Sequence, residues 1–239
     1  MKGMILAAGL GTRLKPFTDK HPKALALVNG KTLLQRNIEY LNSFGITELI
    51  INVHHFADQI IALIKDNNGF GSSITISDER DEVLETGGGL KKASWFFSSD
   101  DRPFLLMNVD VLTDLSINEM AAQHYRNNPI ATLAVTSRQT SRYFLFDDEG
   151  ILCGWKNSLT AEEKISRQAP HQYEKAFSGI HIISPDIFNY ITRQGKFSIV
   201  DVYLELAHTH VVRGFDHSGT KFIDVGKPDA LAKAERMFI

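Results

Sequence analysis

The stretch MILAAGLGTRLKPFTDKHPKAL, residues 4–25, decides how the rest of the chain is interpreted. It begins as a short apolar strand, turns at Gly9 and Gly11, and then supplies Arg13 and Lys23. Small residues at such a turn let backbone N–H groups approach an anion closely, and Arg and Lys add positive charge. The stretch therefore predicts a phosphate-binding turn at the end of the first strand.

Two widespread phosphate motifs do not fit this stretch. A dinucleotide-binding fingerprint requires a third glycine where Leu14 stands, and a carboxylate ending a strand about twenty residues on, which is not found. A P-loop requires Gly-Lys-Ser/Thr at the end of the turn, and that sequence does not occur there. An NAD-dependent dehydrogenase is therefore disfavoured.

Composition limits the classes of partner. The net charge is −2, so no overall positive field attracts nucleic acid or an anionic membrane surface. No apolar run approaches the roughly 18 residues of a membrane span, and the N-terminus shows no signal-peptide pattern. Cys153 is the single cysteine, which excludes intrachain disulfides and fits a reducing compartment. We expect no nucleic-acid or membrane partner and a cytoplasmic location; the oligomeric state stays open.

The pattern of apolar residues predicts an α/β fold. Strand and helix patterns alternate through the first half, including a helix over 89–97 after a triple-glycine turn. Such alternation is typical of a Rossmann-like mixed, mostly parallel sheet with helices on both faces. The second half contains a predicted hairpin around the DDEG turn and a polar, irregular segment over 158–174. With no linker or repeat, residues 1–239 are interpreted as one domain.

The opening motif resembles the signature L-A-A-G-x-G-T-R-L-x-P-x-T-x-x-x-P-K of sugar-1-phosphate nucleotidyltransferases. The resemblance extends over almost the whole chain through four further segments: LETGGGL (84–90), FLLMNVDVLTD (104–114), FSGIHIISPDIF (177–188) and FIDVGKPDALAKAE (222–235). The subgroup it most resembles contains short uridylyl- and guanylyltransferases that act on N-acetylmuramate, mannose or heptose 1-phosphate. This resemblance implies the fold of nucleotide-diphospho-sugar transferases.

The resemblance also implies a reaction and the residues that serve it. The reaction converts an NTP and a sugar 1-phosphate into an NDP-sugar and pyrophosphate, with residues 1–130 binding the nucleotide and 131–239 the sugar phosphate. The implied nucleotide-binding residues are Leu6, Ala7, Ala8, Gly9, Gly11, Thr12, Arg13, Lys23, Gly87 and Gly88. The implied sugar-phosphate-binding residues are Asn108, Lys156 and Gly179, and the catalytic residues are Arg13, Lys23 and Asp110.

Asp110 and Asp224 are the predicted metal ligands, for Mg²⁺ or Mn²⁺. Each follows an apolar strand pattern, so a common sheet edge would bring them together, although an aspartate at a strand end also simply starts a turn. The family usually has glycine just before the first aspartate. Here Val109 takes that position, and valine makes the local backbone stiffer. The paired histidines, His54–His55 and His208 with His210, lack a third ligand nearby, so zinc is not expected.

The chemistry of the implied reaction explains these residue types. A phosphate monoester is already largely anionic at neutral pH, so the attacking oxygen needs no general base. The obstacle is repulsion between two polyanions, which cations and backbone N–H groups relieve. The stretch ERDEV (79–83) lacks the glutamine that many relatives use to bind a pyrimidine, so the nucleobase is not predicted, with UTP or GTP favoured and CTP or dTTP open. A non-catalytic nucleotide-sugar-binding regulator of the same fold remains the alternative.

Overall fold

A computed structural model describes residues 1–98 and 101–238 of the chain. Its fourteen strands are β1 (Gly3–Leu6), β2 (Leu27–Val28), β3 (Lys31–Thr32), β4 (Glu48–Val53), β5 (Ser73–Asp78), β6 (Phe104–Asn108), β7 (Val111–Thr113), β8 (Ala131–Thr136), β9 (Arg142–Phe146), β10 (Leu152–Asn157), β11 (Glu162–Ile165), β12 (Tyr173–Ile183), β13 (Val212–Asp216) and β14 (Phe222–Asp224). Its eight α-helices are α1 (Leu33–Ser43), α2 (Ala57–Asp66), α3 (Glu85–Lys92), α4 (Ser94–Phe97), α5 (Ile117–Asn127), α6 (Ile187–Tyr190), α7 (Ile199–Leu206) and α8 (Pro228–Met237).

Ten strands form one mixed sheet in the order β11-β10-β9-β12-β6-β1-β4-β5, with β8 beside β12 and β13 beside β8. The parallel pairs of the first half are β1 with β4, β1 with β6 and β4 with β5. Leu6 is in register with Asn52 on one side and Asn108 on the other. The carboxyl ends of three parallel strands therefore lie level, which is where α/β sheets bind ligands.

Helices cover both faces of the sheet, as the sequence predicts. Along β1, Met4 and Leu6 pack into a core that contains apolar residues of α3, α4 and α7. Ile5 and Ala7 point the other way, into a core that contains residues of α1, α2 and α5. This alternation follows from the period of two along a strand, and it explains why β1 is apolar throughout.

Local sequence features explain several element boundaries. The Thr32 hydroxyl accepts a hydrogen bond from the Gln35 N–H at the start of α1, at 3.0 Å. The Ser116 hydroxyl caps α5 in the same way through the Glu119 N–H, at 3.3 Å. Gly45, with a φ of +73°, follows the end of α1. A hydroxyl cap therefore fixes the start of each helix, and a glycine in the left-handed region follows the end of α1.

Two predicted elements are wrong. Helix α3 begins at Glu85, before the three glycines, because the glycine N–H groups at its first turn bind the carbonyl of Phe197. The segment predicted to be irregular contains the edge strand β11, which pairs with β10 from Gly154 to Asn157. In both cases the partner that stabilises the element lies beyond the reach of a local sequence pattern.

Within the described residues, no helix is long and apolar enough to cross a membrane.

A separate two-stranded ribbon carries the predicted second metal ligand. β14 pairs antiparallel with β7 and takes no part in the large sheet, so the prediction of a common sheet edge is wrong. The ribbon packs with α8 and with Leu14 in a third apolar cluster under the glycine-rich turn. This small core attaches the ribbon to the opening motif.

Candidate active site

A cleft of about 500 Å³ opens at the carboxyl ends of β1, β4 and β6. Its size is within the usual range for a small-molecule site. Its walls are formed by Leu6, Ala8, Gly9, Leu10, Gly11, Thr12, Lys23, Asn52, Val83, Glu85, Thr86, Asn108, Val109, Asp110, Lys196 and Ser198. Most of the residues predicted from the opening motif therefore share one cleft.

The glycine-rich turn packs directly on the stem of Lys23. Gly11 has a φ of +62°, and a Cβ built there would lie 3.0 Å from Lys23 Cβ and 3.0 Å from Thr18 Cγ2. Only glycine combines that backbone conformation with that close approach. Thr18 Oγ1 also donates a hydrogen bond to the Gly11 carbonyl at 3.0 Å. The turn and the lysine are thus one packed unit in the wall of the cleft.

Lys23 and Asp110 form an ion pair at the base of the cleft. Their side chains are 14% and 11% exposed, so water screens this pair less than it screens the ion pairs on the surface. Asp110 lies in the turn between β6 and β7, and its carbonyl accepts a hydrogen bond from the Val225 N–H at 2.8 Å. That bond extends the β7–β14 pairing, in which Asp224 faces Val111. The ribbon therefore places Asp224 beside Asp110.

The two carboxylates affect each other electrostatically. The pKa of Asp224 is raised, first by partial loss of water around its carboxylate and then by repulsion from Asp110. Lys23 and Arg13 act in the opposite direction and lower it. The Arg13 guanidinium reaches the same corner: a Cβ at Gly226 would lie 2.7 Å from Asp224 Oδ1 and 2.8 Å from Arg13 Nη2. Four charged residues predicted from three separate motifs meet at one place.

This corner fits a hard divalent cation. Two carboxylates lie close enough to repel each other, and a cation between them would relieve that repulsion. Mg²⁺ typically takes one or two protein carboxylates and fills its other positions with phosphate oxygens and water. Among the described residues no cluster of three or more His, Cys, Asp or Glu side chains is suited to hold a metal, which disfavours a site built from protein ligands alone.

The sequence predicted only part of the wall opposite the glycine-rich turn: Glu85 and Thr86, in the LETGGGL segment, are candidate neighbours of the substrate, whereas Lys196 and Ser198 were not predicted. Lys196 and Ser198, from the segment before α7, line the cleft together with Glu85 and Thr86 of α3. Lys196 forms an ion pair with Glu85 at 3.5 Å. The Glu85 backbone adopts a φ of +59°, a conformation that residues other than glycine rarely take. No spacing in the sequence connects Lys196 to Glu85, because 111 residues separate them.

Gly87 and Gly88 lie behind this wall instead of on it. Their N–H groups donate to the Phe197 carbonyl at 2.9 and 3.3 Å, and neither residue belongs to the cleft lining. A Cβ at Gly88 would overlap the Gly195 carbonyl oxygen. Gly87 and Gly88 therefore allow the segment before α7 to pack closely against α3, and their contact with the nucleotide stays a prediction.

The structure does not bring all three predicted sugar-phosphate-binding residues together. Asn108 lines the cleft, and Gly179 touches it from behind: a Cβ at Gly179, where φ is +73°, would lie 2.6 Å from Asn108 Nδ2. Lys156 of β10 forms an ion pair with Glu174 and is not part of the cleft wall. The structure therefore places Asn108 in the cleft wall with Gly179 behind it, but it does not bring Lys156 to the same place.

The sequence as a whole matches one protein-family model, described as nucleotidyl transferase, over residues 2–238. The chain belongs to the nucleotidyl transferase family. It is 32% identical over 238 residues to an N-acetylmuramate alpha-1-phosphate uridylyltransferase of Caulobacter vibrioides, a match covering 97% of this chain and 94% of that protein. A mannose-1-phosphate guanyltransferase of Yarrowia lipolytica is 29% identical over 230 residues, 95% of this chain. The family predicted from the opening motif is confirmed.

The matches differ in how much of the relative they cover. This chain spans 61% of the length of the Yarrowia guanyltransferase and 61% of a UTP–glucose-1-phosphate uridylyltransferase of Synechocystis. Among solved structures, HddC from Yersinia pseudotuberculosis, complexed with GMP-PN, aligns over 100% of this chain and 99% of its own, with a TM-score of 0.78 and 25% identity. The predicted mixed α/β fold with helices on both faces is confirmed.

Proposed function

We propose that this protein transfers a nucleotidyl group from an NTP to a sugar 1-phosphate and releases pyrophosphate. The observation that carries the proposal is the meeting of Arg13, Lys23, Asp110 and Asp224 at one end of a cleft lined by the glycine-rich turn. The cleft supplies cations and backbone donors for phosphate groups. This reaction requires no nucleophilic Ser or Cys from the protein.

The positive residues would act by neutralising charge and aligning the substrates. The sugar phosphate is the nucleophile, and its oxygen attacks the α-phosphorus as pyrophosphate departs from the opposite side. Lys23 and Arg13 would reduce repulsion between the two phosphates and stabilise the charge on the phosphoryl oxygens in the transition state. The glycine-rich turn would hold the triphosphate through its backbone N–H groups.

Asp110 and Asp224 would hold the Mg²⁺ or Mn²⁺ ion expected for this chemistry. When bound, such an ion would supply Lewis-acid chemistry that offsets the negative charge of the phosphate groups. The ion pair with Lys23 holds the Asp110 carboxylate at this corner of the cleft. Arg13 lies beside Asp224 and would share the same phosphate oxygens.

The near full-length match to the Caulobacter uridylyltransferase makes UTP with N-acetylmuramate 1-phosphate the first substrate pair to test. The guanyltransferase relatives make GTP with mannose 1-phosphate the second. A cytoplasmic location fits these substrates, and the buried free thiol of Cys153 fits a reducing compartment.

The decisive experiment measures pyrophosphate release across four NTPs and a panel of sugar 1-phosphates, with and without MgCl₂. Turnover of at least one pair that depends on both substrates and on the divalent ion supports the proposal. Binding of nucleotide or NDP-sugar without turnover of any pair supports the non-catalytic regulator instead.

A further inference from the structure

A buried carboxylate that the proposed chemistry does not use lies directly behind the nucleotide side of the cleft. Glu79, which follows β5, is 1% exposed. Its backbone is fixed on both sides, since its N–H donates to the Val53 carbonyl at 2.8 Å and its carbonyl lies 2.6 Å from His54 Nδ1. Such a buried carboxylate is costly, so what it contacts is informative.

Glu79 Oε1 accepts a hydrogen bond from Asn52 Nδ2 at 2.8 Å. On its other side, Asn52 Oδ1 accepts the backbone N–H of Ala7 at 2.7 Å. Because the Ala7 N–H requires an acceptor and the Glu79 carboxylate requires a donor, the Asn52 amide can take only one orientation. Ala7 leads directly into the glycine-rich turn, so the carboxylate determines which atom of Asn52 faces that turn.

The same carboxylate touches the opposite wall of the cleft. A Cβ at Gly89 of α3 would lie 2.8 Å from Glu79 Oε1 and 2.9 Å from Asn52 Nδ2, so the helix packs directly on the hydrogen bond. The first residues of α3, Glu85 and Thr86, line the cleft. Glu79 and Asn52 therefore connect the glycine-rich turn to α3, while Glu79 Oε2 has no hydrogen-bond partner among residues 1–98 and 101–238.

We propose that Glu79 is a positioning residue for the NTP: through Asn52 it holds the start of the glycine-rich turn at the distance from α3 that the nucleotide requires. The inference rests on the proposed function, because the ligand is the NTP of that reaction. Asn52 is the last residue but one of β4 and lies on the far side of β1 from Asn108 and the β6 end of the cleft. The effect should therefore fall on NTP binding and spare the sugar 1-phosphate.

The test exchanges the donor and the acceptor of one hydrogen bond. Asn52→Asp keeps an acceptor for the Ala7 N–H but turns a second carboxylate toward Glu79. Adding Glu79→Gln to that variant supplies a donor, and the hydrogen bond forms again in the reverse direction. Binding of UTP, GTP, CTP and dTTP, each with MgCl₂, is measured by calorimetry, and the melting temperature of every variant is recorded.

We expect Asn52→Asp and Glu79→Ala each to weaken binding of the preferred NTP by about tenfold or more, as when a buried group loses its partner. Glu79→Gln alone and the double variant should both remain within about threefold of the wild type, because each keeps a matched donor and acceptor. The KM for the sugar 1-phosphate should stay unchanged throughout. His124→Ala is the control: His124 is also fully buried with one hydrogen bond, to Thr132, and lies outside the cleft lining, so it should lower the melting temperature alone.

Two results would overturn the inference. One is a double variant that binds NTP as poorly as Asn52→Asp. The other is a Glu79→Ala protein that, like His124→Ala, melts earlier but binds NTP normally. A wild-type protein that binds none of the four nucleotides refutes the proposed function, and this inference with it, whereas normal wild-type binding with unaffected variants refutes the inference alone.

Discussion

Replacing Lys23 by methionine should change metal binding and turnover in opposite directions. Lys23 and Arg13 balance the charges of Asp110 and Asp224, so the corner is close to neutral. Methionine fills similar space without charge, and it leaves one carboxylate charge uncompensated. The substitution therefore separates two duties of Lys23: neutralising substrate phosphate and balancing Asp110 while no metal is bound.

The magnitude follows from the contact between Lys23 and Asp110. Two unit charges about 4 Å apart have an interaction energy of about 4 kcal/mol at an effective dielectric constant of about 20. Salt and rearranged water remove part of this energy, so we expect Mg²⁺ or Mn²⁺ to bind about 1–3 kcal/mol more tightly, roughly fivefold to 150-fold. Turnover should fall by about 10²–10³-fold, because a charged donor to the phosphoryl group is lost.

The assay follows melting temperature against MnCl₂ concentration without nucleotide, and pyrophosphate release in parallel. The matched control is Lys15→Met, which removes an exposed lysine paired with Asp19 at 3.0 Å on the surface. The control should leave both readouts unchanged. Equal metal midpoints for wild type and Lys23→Met would refute the view that Lys23 balances the metal ligands, and near-normal turnover would refute its part in the reaction.

Three further predictions concern the metal ligands, the glycine packing and the pH dependence. Asp110→Asn or Asp224→Asn should remove most pyrophosphate release and most of the stabilisation by Mn²⁺ while the circular dichroism stays native; a protein that keeps its Mn²⁺ response contradicts the ligand assignment. Gly88→Ala should destabilise the protein by about 1–3 kcal/mol in urea unfolding, because its Cβ meets a backbone carbonyl, whereas Gly219→Ala, with open space around it, should not. Burial lowers the pKa of His124 to about 4, so the folded state binds a proton less well than the unfolded chain, and stability falls as the pH drops from about 6.5 toward 4. His124→Asn should therefore shrink the difference in unfolding free energy between pH 7 and pH 5 by about 2 kcal/mol, and an unchanged difference would contradict the assignment.

The sequence predicted the parts of the site that depend on local chemistry. The turn at Gly9 and Gly11 and the nearby cations are encoded within about twenty residues, and the structure places them on one cleft. Asp110 follows a strand whose apolar pattern is continuous, so its position at the carboxyl edge could also be anticipated. The resemblance to a family then added Asp224, which no local pattern connects to Asp110.

The parts that were wrong or missed depend on partners distant in the chain. A glycine run looks like a turn, and only the Phe197 carbonyl, about 110 residues later, satisfies its N–H groups within a helix. Lys196 looks like an ordinary surface lysine until the segment before α7 packs against α3. Glu79 sits among charged residues typical of an exposed loop, and its burial follows from packing by α3 at Gly89.

The β7–β14 ribbon also has a consequence for how the site is assembled during synthesis. Asp224 is translated 114 residues after Asp110, a delay on the order of 10 s at cellular elongation rates of about 5–20 residues per second. Over that interval the nascent chain already contains Lys23 and Asp110, the two residues of the ion pair. The growing polypeptide thus carries its own counter-ion for Asp110, and the carboxylate pair that would attract a metal is completed only once β14 has emerged and paired with β7.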